Sequence, residues 1–146
     1  MIQMKQEISN TFGKMFLTLE YDDFHHWLVS AWMGYLTVEN VIEGGNACID
    51  ALKANNCHYL LNDNRQVVGP WNHAVEWIVH DWTPRAFASG LTHIAHVVAD
   101  TDSLAAISAA MMQPKVNSSF KMRIFCNQEE AVNWLREAQK NAMVSG

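Results

Sequence analysis

A run of polar residues between a buried strand and a helix holds the side chains of this chain that are best suited to chemistry. Asp63, Asn64 and Arg65 follow the apolar stretch Tyr59–Leu61, and Trp71 stands at the start of a predicted helix. Open α/β sheets bind ligands and partners at the carboxyl ends of their strands. An arginine there can hold a carboxylate or a phosphate through two hydrogen bonds, and amides at the helix start can assist. The same residues also suit a solvated turn in which Asp and Asn bond their own backbone.

The segment from Asn62 to Trp82 contains no serine, threonine or cysteine. Nucleophilic catalysis needs a placed hydroxyl or thiol beside a base, so this segment is suited to holding a molecule and not to covalent transfer. Cys48, Cys57 and Cys126 lie far apart in sequence and are expected to be reduced and inert. We therefore expect no catalytic residue, no cofactor and no enzymatic activity.

The histidines do not have the spacing of a metal site. His73 and His80 lie about 10 Å apart along one predicted helix, too far for one ion without other ligands. His93 and His96 point to opposite faces of a predicted strand. His-Glu-x-x-His and Cys-x-x-Cys patterns are absent, so we expect no metal.

Trp77 is the fifth candidate binding residue, after Asp63, Asn64, Arg65 and Trp71. It lies beside the apolar stripe of the predicted helix 70–82, where it can be exposed. Exposed aromatic residues are enriched at interfaces, although Trp77 can equally cover the flank of its own helix.

The elements that must position these residues follow from the hydrophobic pattern. Strands are predicted at 15–21, 24–33, 57–61, 91–99 and 120–126, and helices at 38–54, 70–82, 103–112 and from 128 onwards. The order ββαβαβαβα predicts an α/β fold with a five-stranded mixed sheet, an N-terminal antiparallel hairpin and helices packed on the sheet. We expect one domain over residues 1–146, with a core at about 14–140 and loosely attached ends at 1–12 and 142–146.

Two glycines inside the first predicted helix need an explanation. Gly44 and Gly45 together cost about 1–2 kcal/mol relative to alanine in a helix. A close approach of this helix to the sheet would account for them. Thr37 is predicted to cap the helix by accepting a hydrogen bond from the amide of Asn40.

Composition excludes several classes of function. The formal net charge is −5 and the basic residues are scattered, so we expect no nucleic-acid binding. No apolar run has transmembrane length, and residues 1–7 lack the apolar core of a signal peptide. These features predict a cytoplasmic protein without an integral membrane segment.

The closing strand and helix carry a family resemblance. The stretch Arg123–Leu135, in which Phe125 ends a strand and an Ala-x-x-Trp-Leu pattern packs a helix, together with the element order, resembles the STAS domain of the bacterial anti-sigma-factor antagonists (SpoIIAA-like proteins). These proteins are in turn similar to the lipid-binding CRAL-TRIO fold. The resemblance implies a regulatory interaction domain. Family members carry a phosphorylated serine after the third core strand, and no hydroxyl residue stands there in this chain.

Two functional hypotheses follow from these observations. The first is a non-enzymatic interaction domain that binds a protein partner or a second copy of itself through the predicted loop Asp63–Gly69 and the helix 70–82. The second is a domain that binds a small apolar, lipid-like ligand between sheet and helices, gated by Phe87 and the Trp82–Gly90 connection. Enzymatic activity is the weakest of the three hypotheses, because no acid–base pair or nucleophile stands out.

Overall fold

The computed structural model of this protein describes residues 5–145 and shows an α/β fold. Its strands are β1 (Lys5–Ser9), β2 (Met15–Asp22), β3 (Trp27–Gly34), β4 (Tyr59–Val67), β5 (His93–Val97) and β6 (Lys121–Phe125). Its α-helices are α1 (Val38–Ala54), α2 (Val75–Trp77), α3 (Thr83–Ala88), α4 (Leu104–Val116) and α5 (Gln128–Ser145). The predicted α/β class is confirmed.

The strands form one mixed sheet in which their spatial order equals their order along the chain. β2 runs antiparallel to β1 and β3, and β3 to β6 are parallel. The predicted hairpin is therefore confirmed as β2–β3, but the predicted count of five strands is wrong. β1 lies where a loose end was predicted, because only Ile8 of that strand is buried and its hydrophobic alternation is weak. The backbone pairing with β2 holds it in place.

The helices cover the two faces of the sheet unequally. The parallel strands advance in one direction, so right-handed crossovers place α1, α2–α3 and α4 on the same face. Side chains at even positions of β3, β4 and β5 point towards this layer. α5 packs on the opposite face, where its Trp134 contacts His93 and Phe125.

Helix α1 approaches its neighbours at the two glycines, as predicted. A Cβ atom on Gly44 would lie 2.5 Å from Trp32 Cη2, and one on Gly45 would lie 3.0 Å from Trp82 Cδ1. Gly44 therefore permits close contact with the sheet, and Gly45 permits contact with the following helical segment. The Thr37 cap is also confirmed, since its hydroxyl oxygen accepts from the amide of Asn40 at 3.1 Å.

The predicted helix 70–82 is a composite and extends further than expected. It begins with a 3₁₀ turn (Asn72–Ala74), continues through α2 into a π-helical turn (Ile78–Trp82), and then becomes α3. The helix was predicted to end at residue 82, two residues before Pro84. Proline lacks the amide hydrogen that would bond the carbonyl four residues earlier, and the chain widens into the π turn just before it instead of ending. The Thr83 hydroxyl donates to the carbonyl of Ile78 at 2.8 Å.

The predicted loop Asp63–Gly69 is mostly strand. β4 continues to Val67 because it pairs with β3 as far as Gly34, with an irregularity between Ala31 and Met33. The polar composition of residues 63–69 is typical of a loop, but the backbone pairing with β3 overrides that preference. The connection reduces to the short stretch from Val68 to Trp71.

Two further boundaries differ from the prediction. Helix α4 is capped by Ser103 and runs through Pro114 to Val116, whereas a helix over 103–112 was predicted. The predicted Trp82–Gly90 connection is largely helix α3. Among the helices of residues 5–145, none combines the length and apolar character that a membrane crossing requires.

Candidate functional site

A partly open cavity of about 80 Å³ lies between the sheet and the layer formed by α1, the composite helix and α4. Strands β3 to β6 contribute its floor, and the helices contribute its roof. Its lining is predominantly apolar and contains four tryptophans: Trp32, Trp71, Trp77 and Trp82. An apolar lining with a few polar groups is typical of small-molecule sites, although this cavity is smaller than the usual range of about 300–1,000 Å³.

Three buried polar atoms on the cavity wall have no hydrogen-bond partner. They are Asn64 Oδ1, Trp71 Nε1 and His96 Nε2. Their residues are 5%, 4% and 1% exposed, respectively. Such atoms normally find partners, because each one left unpaired in the interior costs about 1–3 kcal/mol. All three residues belong to the lining of one cavity, which is therefore the candidate place for a hydrogen-bonding guest.

A hydrogen-bonded network beneath the cavity holds His96 in position. Asn62 Oδ1 accepts from Ser30 Oγ at 2.6 Å and from Trp32 Nε1 at 2.8 Å. Asn62 Nδ2 donates to His96 Nδ1 at 3.0 Å. Nδ1 of the imidazole is therefore committed to Asn62, and Nε2 is the ring nitrogen left without a partner. A network of this kind keeps a buried polar side chain in one orientation.

His96 is neutral at physiological pH. Burial lowers its pKa to about 4, and the nearby carboxylate of Asp63 opposes that shift only in part. Desolvation disfavours the charged imidazolium because the surrounding cavity wall is apolar. The site therefore presents hydrogen-bonding groups without a net charge.

The strands position these side chains by alternation and register. Asn62 and Asn64 lie two residues apart on β4 and share the face under the helices. His96 of β5 stands directly opposite Asn62 in the parallel pairing. Trp71 follows the strand end, and its backbone amide donates to Ser108 Oγ of α4 at 3.1 Å. The site thus depends on the sheet edge and on the helix above it.

Neighbouring contacts hold the residues around the cavity in place. Trp82 Nε1 donates to the carbonyl of Gly45 at 2.8 Å, which ties the composite helix to α1. The half-buried ring of Trp77 has the guanidinium of Arg85 5.9 Å from its centroid on the outside. At the carboxyl edge His73 Nε2 lies 2.8 Å from the carbonyl oxygen of Leu36. These contacts leave the indole of Trp77 as part of the cavity wall and not as a free surface.

The structure separates the predicted binding residues into two groups. Asn64, Trp71 and Trp77 meet at the cavity. Asp63 and Arg65 project from the opposite face of β4, where Arg65 holds Asp63 through two hydrogen bonds of 2.9 and 2.8 Å and reaches Gln128 at 2.8 Å. Burial alone would raise the pKa of Asp63, but the hydrogen bonds and charge of Arg65 outweigh it and hold that pKa below its usual value. Arg65, which was predicted to bind a ligand, is therefore already paired with the carboxylate of Asp63.

Sequence reasoning missed three residues of the site, namely Trp32, Asn62 and His96. A sequence signal for these residues was present, since residues with polar groups stand at alternating positions within apolar strands: Ser30 and Trp32, Asn62 and Asn64, and His96. Phe87 was predicted to gate a pocket, but it is 57% exposed and lies outside the cavity lining. That prediction is wrong because Phe87 sits on the outer side of α3.

Within the part of the chain that the structure describes, no group of three or more His, Cys, Asp or Glu side chains is placed to hold a metal ion. Comparisons of the chain with protein-family models, with curated proteins and with solved structures found no match. The resemblance to STAS domains therefore stays a prediction.

Proposed function

We propose that this protein is a non-enzymatic domain that binds a small molecule in the cavity between its sheet and its α1 side. The observation that carries the proposal is that three residues in the lining of one apolar cavity each have a buried polar atom without a hydrogen-bond partner. A bound molecule would supply the missing hydrogen bonds while its apolar part contacts the tryptophans. Both contributions favour binding, since burying apolar surface and pairing buried polar groups each lower the free energy.

The size of the cavity refines the lipid-like hypothesis. At one water-sized sphere for every 10–15 Å³, a cavity of about 80 Å³ encloses roughly five to eight non-hydrogen atoms. That is enough for a small organic compound but not for a whole lipid chain. We therefore propose a compact ligand for this cavity and not a lipid.

The chemistry around the cavity supports binding in preference to covalent catalysis. Cys48 lines the cavity, but burial raises the pKa of its thiol to about 12, so the reactive thiolate is not formed at neutral pH. The hydroxyl of Ser30 donates to Asn62 and not to a base. Neither group has the activated arrangement that a nucleophile requires.

A cavity-filling substitution tests the proposal. Cys48→Leu adds a larger apolar side chain to the wall, so it should occupy the space of the ligand while leaving the fold intact. Native mass spectrometry of the full chain, purified without unfolding, should show an added small-molecule mass on the wild type that Cys48→Leu lacks. Tryptophan fluorescence should report the same difference on titration with small amphiphiles, because four indoles line the cavity.

Two matched controls accompany this experiment. Cys126→Ser changes an exposed thiol away from the cavity and should leave binding unchanged. Arg65→Ala removes a side chain from the opposite face and should also leave it unchanged. If Cys48→Leu binds small amphiphiles as tightly as the wild type does, the proposal is wrong.

Protein binding is a second candidate, favoured by the surface at the carboxyl edge of the sheet. Tyr35 and Val68 are 60% and 65% exposed there, and the side chain of Arg65 retains 42% exposure. Aromatic residues and arginine are enriched at protein interfaces. Under this hypothesis Arg65→Ala weakens self-association or partner capture without affecting the cavity, so the same variant separates the two functions.

A further inference from the structure

The hydrogen-bond network determines which nitrogen of His96 carries the proton. An indole N–H can only donate, so the group of Asn62 that faces Trp32 Nε1 must be the amide oxygen. The amide nitrogen of Asn62 then faces His96 Nδ1 and donates to it. A neutral imidazole with an accepting Nδ1 carries its proton on Nε2. His96 therefore presents an N–H donor to the cavity.

Trp71 presents a second donor beside the first. Its indole nitrogen also lacks a partner, and an indole can only donate. The rings of Trp71 and His96 are neighbours in the lining of the cavity, with 6.0 Å between their centroids. The unpartnered Asn64 Oδ1 adds one acceptor. The complementary guest has an oxygen that accepts two hydrogen bonds and, next to it, a group that donates one.

The cavity also selects against charge. Its lining contains no lysine, arginine, aspartate or glutamate. The carboxylate of Asp63, whose charge acts on His96, projects to the other face and is paired with Arg65. An ion transferred into apolar surroundings without a partner loses much of its solvation energy. A neutral guest avoids this cost.

We propose that the ligand is a small neutral carbonyl compound of the carboxamide type. Its carbonyl oxygen accepts from His96 Nε2–H and Trp71 Nε1–H, and its N–H donates to Asn64 Oδ1. The short apolar chain of the compound lies against the tryptophans. This assignment rests on the proposed ligand-binding function and adds the chemical class of the ligand to it.

A panel of compounds with equal chain length tests the assignment on the full-length protein. Pentanamide, pentan-2-one, pentylamine and pentanoate are titrated at neutral pH, with tryptophan fluorescence and calorimetry as readouts. Pentanamide should bind tightest. Pentan-2-one should bind several-fold more weakly because it has no N–H for Asn64. Pentylamine and pentanoate should bind at least about tenfold more weakly than pentanamide, because each buries a charge and the amine lacks an acceptor.

Two variants connect the selectivity to individual atoms. Trp71→Phe keeps an aromatic ring but removes one donor, so pentanamide and pentan-2-one should both bind about tenfold more weakly. Asn64→Leu removes the acceptor only, so pentan-2-one should be unaffected and its difference from pentanamide should disappear. These opposite patterns cannot arise from a general loss of folding, which circular dichroism would detect separately.

The outcomes test the carboxamide assignment separately from the proposed ligand-binding function. Tightest binding by pentylamine or pentanoate overturns the assignment of a neutral carbonyl ligand and leaves the ligand-binding function standing. The same holds if Trp71→Phe leaves the affinities for pentanamide and pentan-2-one unchanged, or if Asn64→Leu preserves the difference between them. Absence of saturable binding by all four compounds to the wild type overturns both.

Discussion

At the scale of single residues, the cavity carries polar groups that work against the stability of the empty protein. Asn64, Trp71 and His96 each bury an atom whose partner is missing. An apolar residue of similar shape would avoid the desolvation cost of such an atom. Residues that lower stability in this manner are expected at functional sites. Stability and binding should therefore respond in opposite directions to the same substitution.

Asn64→Leu is the sharpest residue-scale prediction. Leucine has a similar shape and removes the unpaired amide oxygen, so the free energy of unfolding of the ligand-free protein should rise by about 1 kcal/mol. Urea denaturation followed by circular dichroism measures this change. Gln66→Leu on the same strand is the control, because Gln66 is exposed and its replacement should leave stability nearly unchanged. A loss of stability in Asn64→Leu would mean that ordered water already satisfies the amide.

At the scale of elements, the helix layer must come unusually close to the sheet. The absence of side chains at Gly44 and Gly45 allows the indoles of Trp32, Trp77 and Trp82 to lie against α1. These are the indoles that also line the cavity. The π turn of the composite helix supplies Ile78 and Trp82 to the same wall. The shape of the cavity is thus set by how α1 and the composite helix pack.

Gly44→Ala tests this packing. Helix propensity alone predicts a gain of up to about 1 kcal/mol. The added Cβ would nevertheless lie within 2.5–2.7 Å of the side chains of Trp32 and Leu17, so we expect a net destabilisation of about 1–3 kcal/mol. Chemical denaturation gives the measurement, and Glu43→Ala, at an exposed position of the same helix, provides the control. A stabilised Gly44→Ala protein would contradict the close contact between α1 and β3.

At the scale of the whole molecule, the buried imidazole couples folding to pH. The pKa of His96 is about 4 in the folded protein, whereas its ordinary value is 6.5. Between these values the unfolded chain binds a proton that the folded protein does not. The contribution of His96 to stability is therefore complete above pH 6.5 and is lost as the pH falls towards 4. The carboxyl groups of Asp22 and Asp63 have lowered pKa values. Their contribution to stability is therefore lost at a pH below the range from 6.5 to 4.

The free energy of unfolding should accordingly fall by about 3 kcal/mol between pH 6.5 and 4 because of His96. Denaturation in buffers across this range measures the slope. His96→Gln should remove most of it. Burial also lowers the pKa of His93, so His93→Gln is the necessary comparison and should remove a smaller part. An unchanged slope in His96→Gln would show that other groups cause the acid sensitivity.

The sequence by itself determined the type and order of most elements, because hydrophobic periodicity and capping are local properties. The hairpin β2–β3, the capped helix α1 with its two glycines and the three parallel strands β4 to β6 follow from such patterns. The last helix was predicted from residue 128 onwards, and the preceding residue Asn127 caps it by accepting from the amide of Glu130 through Oδ1. Three predicted binding residues, Asn64, Trp71 and Trp77, proved to share one cavity.

Only the tertiary structure decided how these residues are grouped. Asp63 and Asn64 are adjacent in sequence but face opposite sides of the sheet, and that became visible only once the predicted loop proved to be strand. His96 and Asn62 are far apart along the chain and meet through strand register. The strand β1 exists through pairing that its own weak pattern does not signal. Register and pairing are non-local, since backbone hydrogen bonds between strands depend on which segments the rest of the fold brings together.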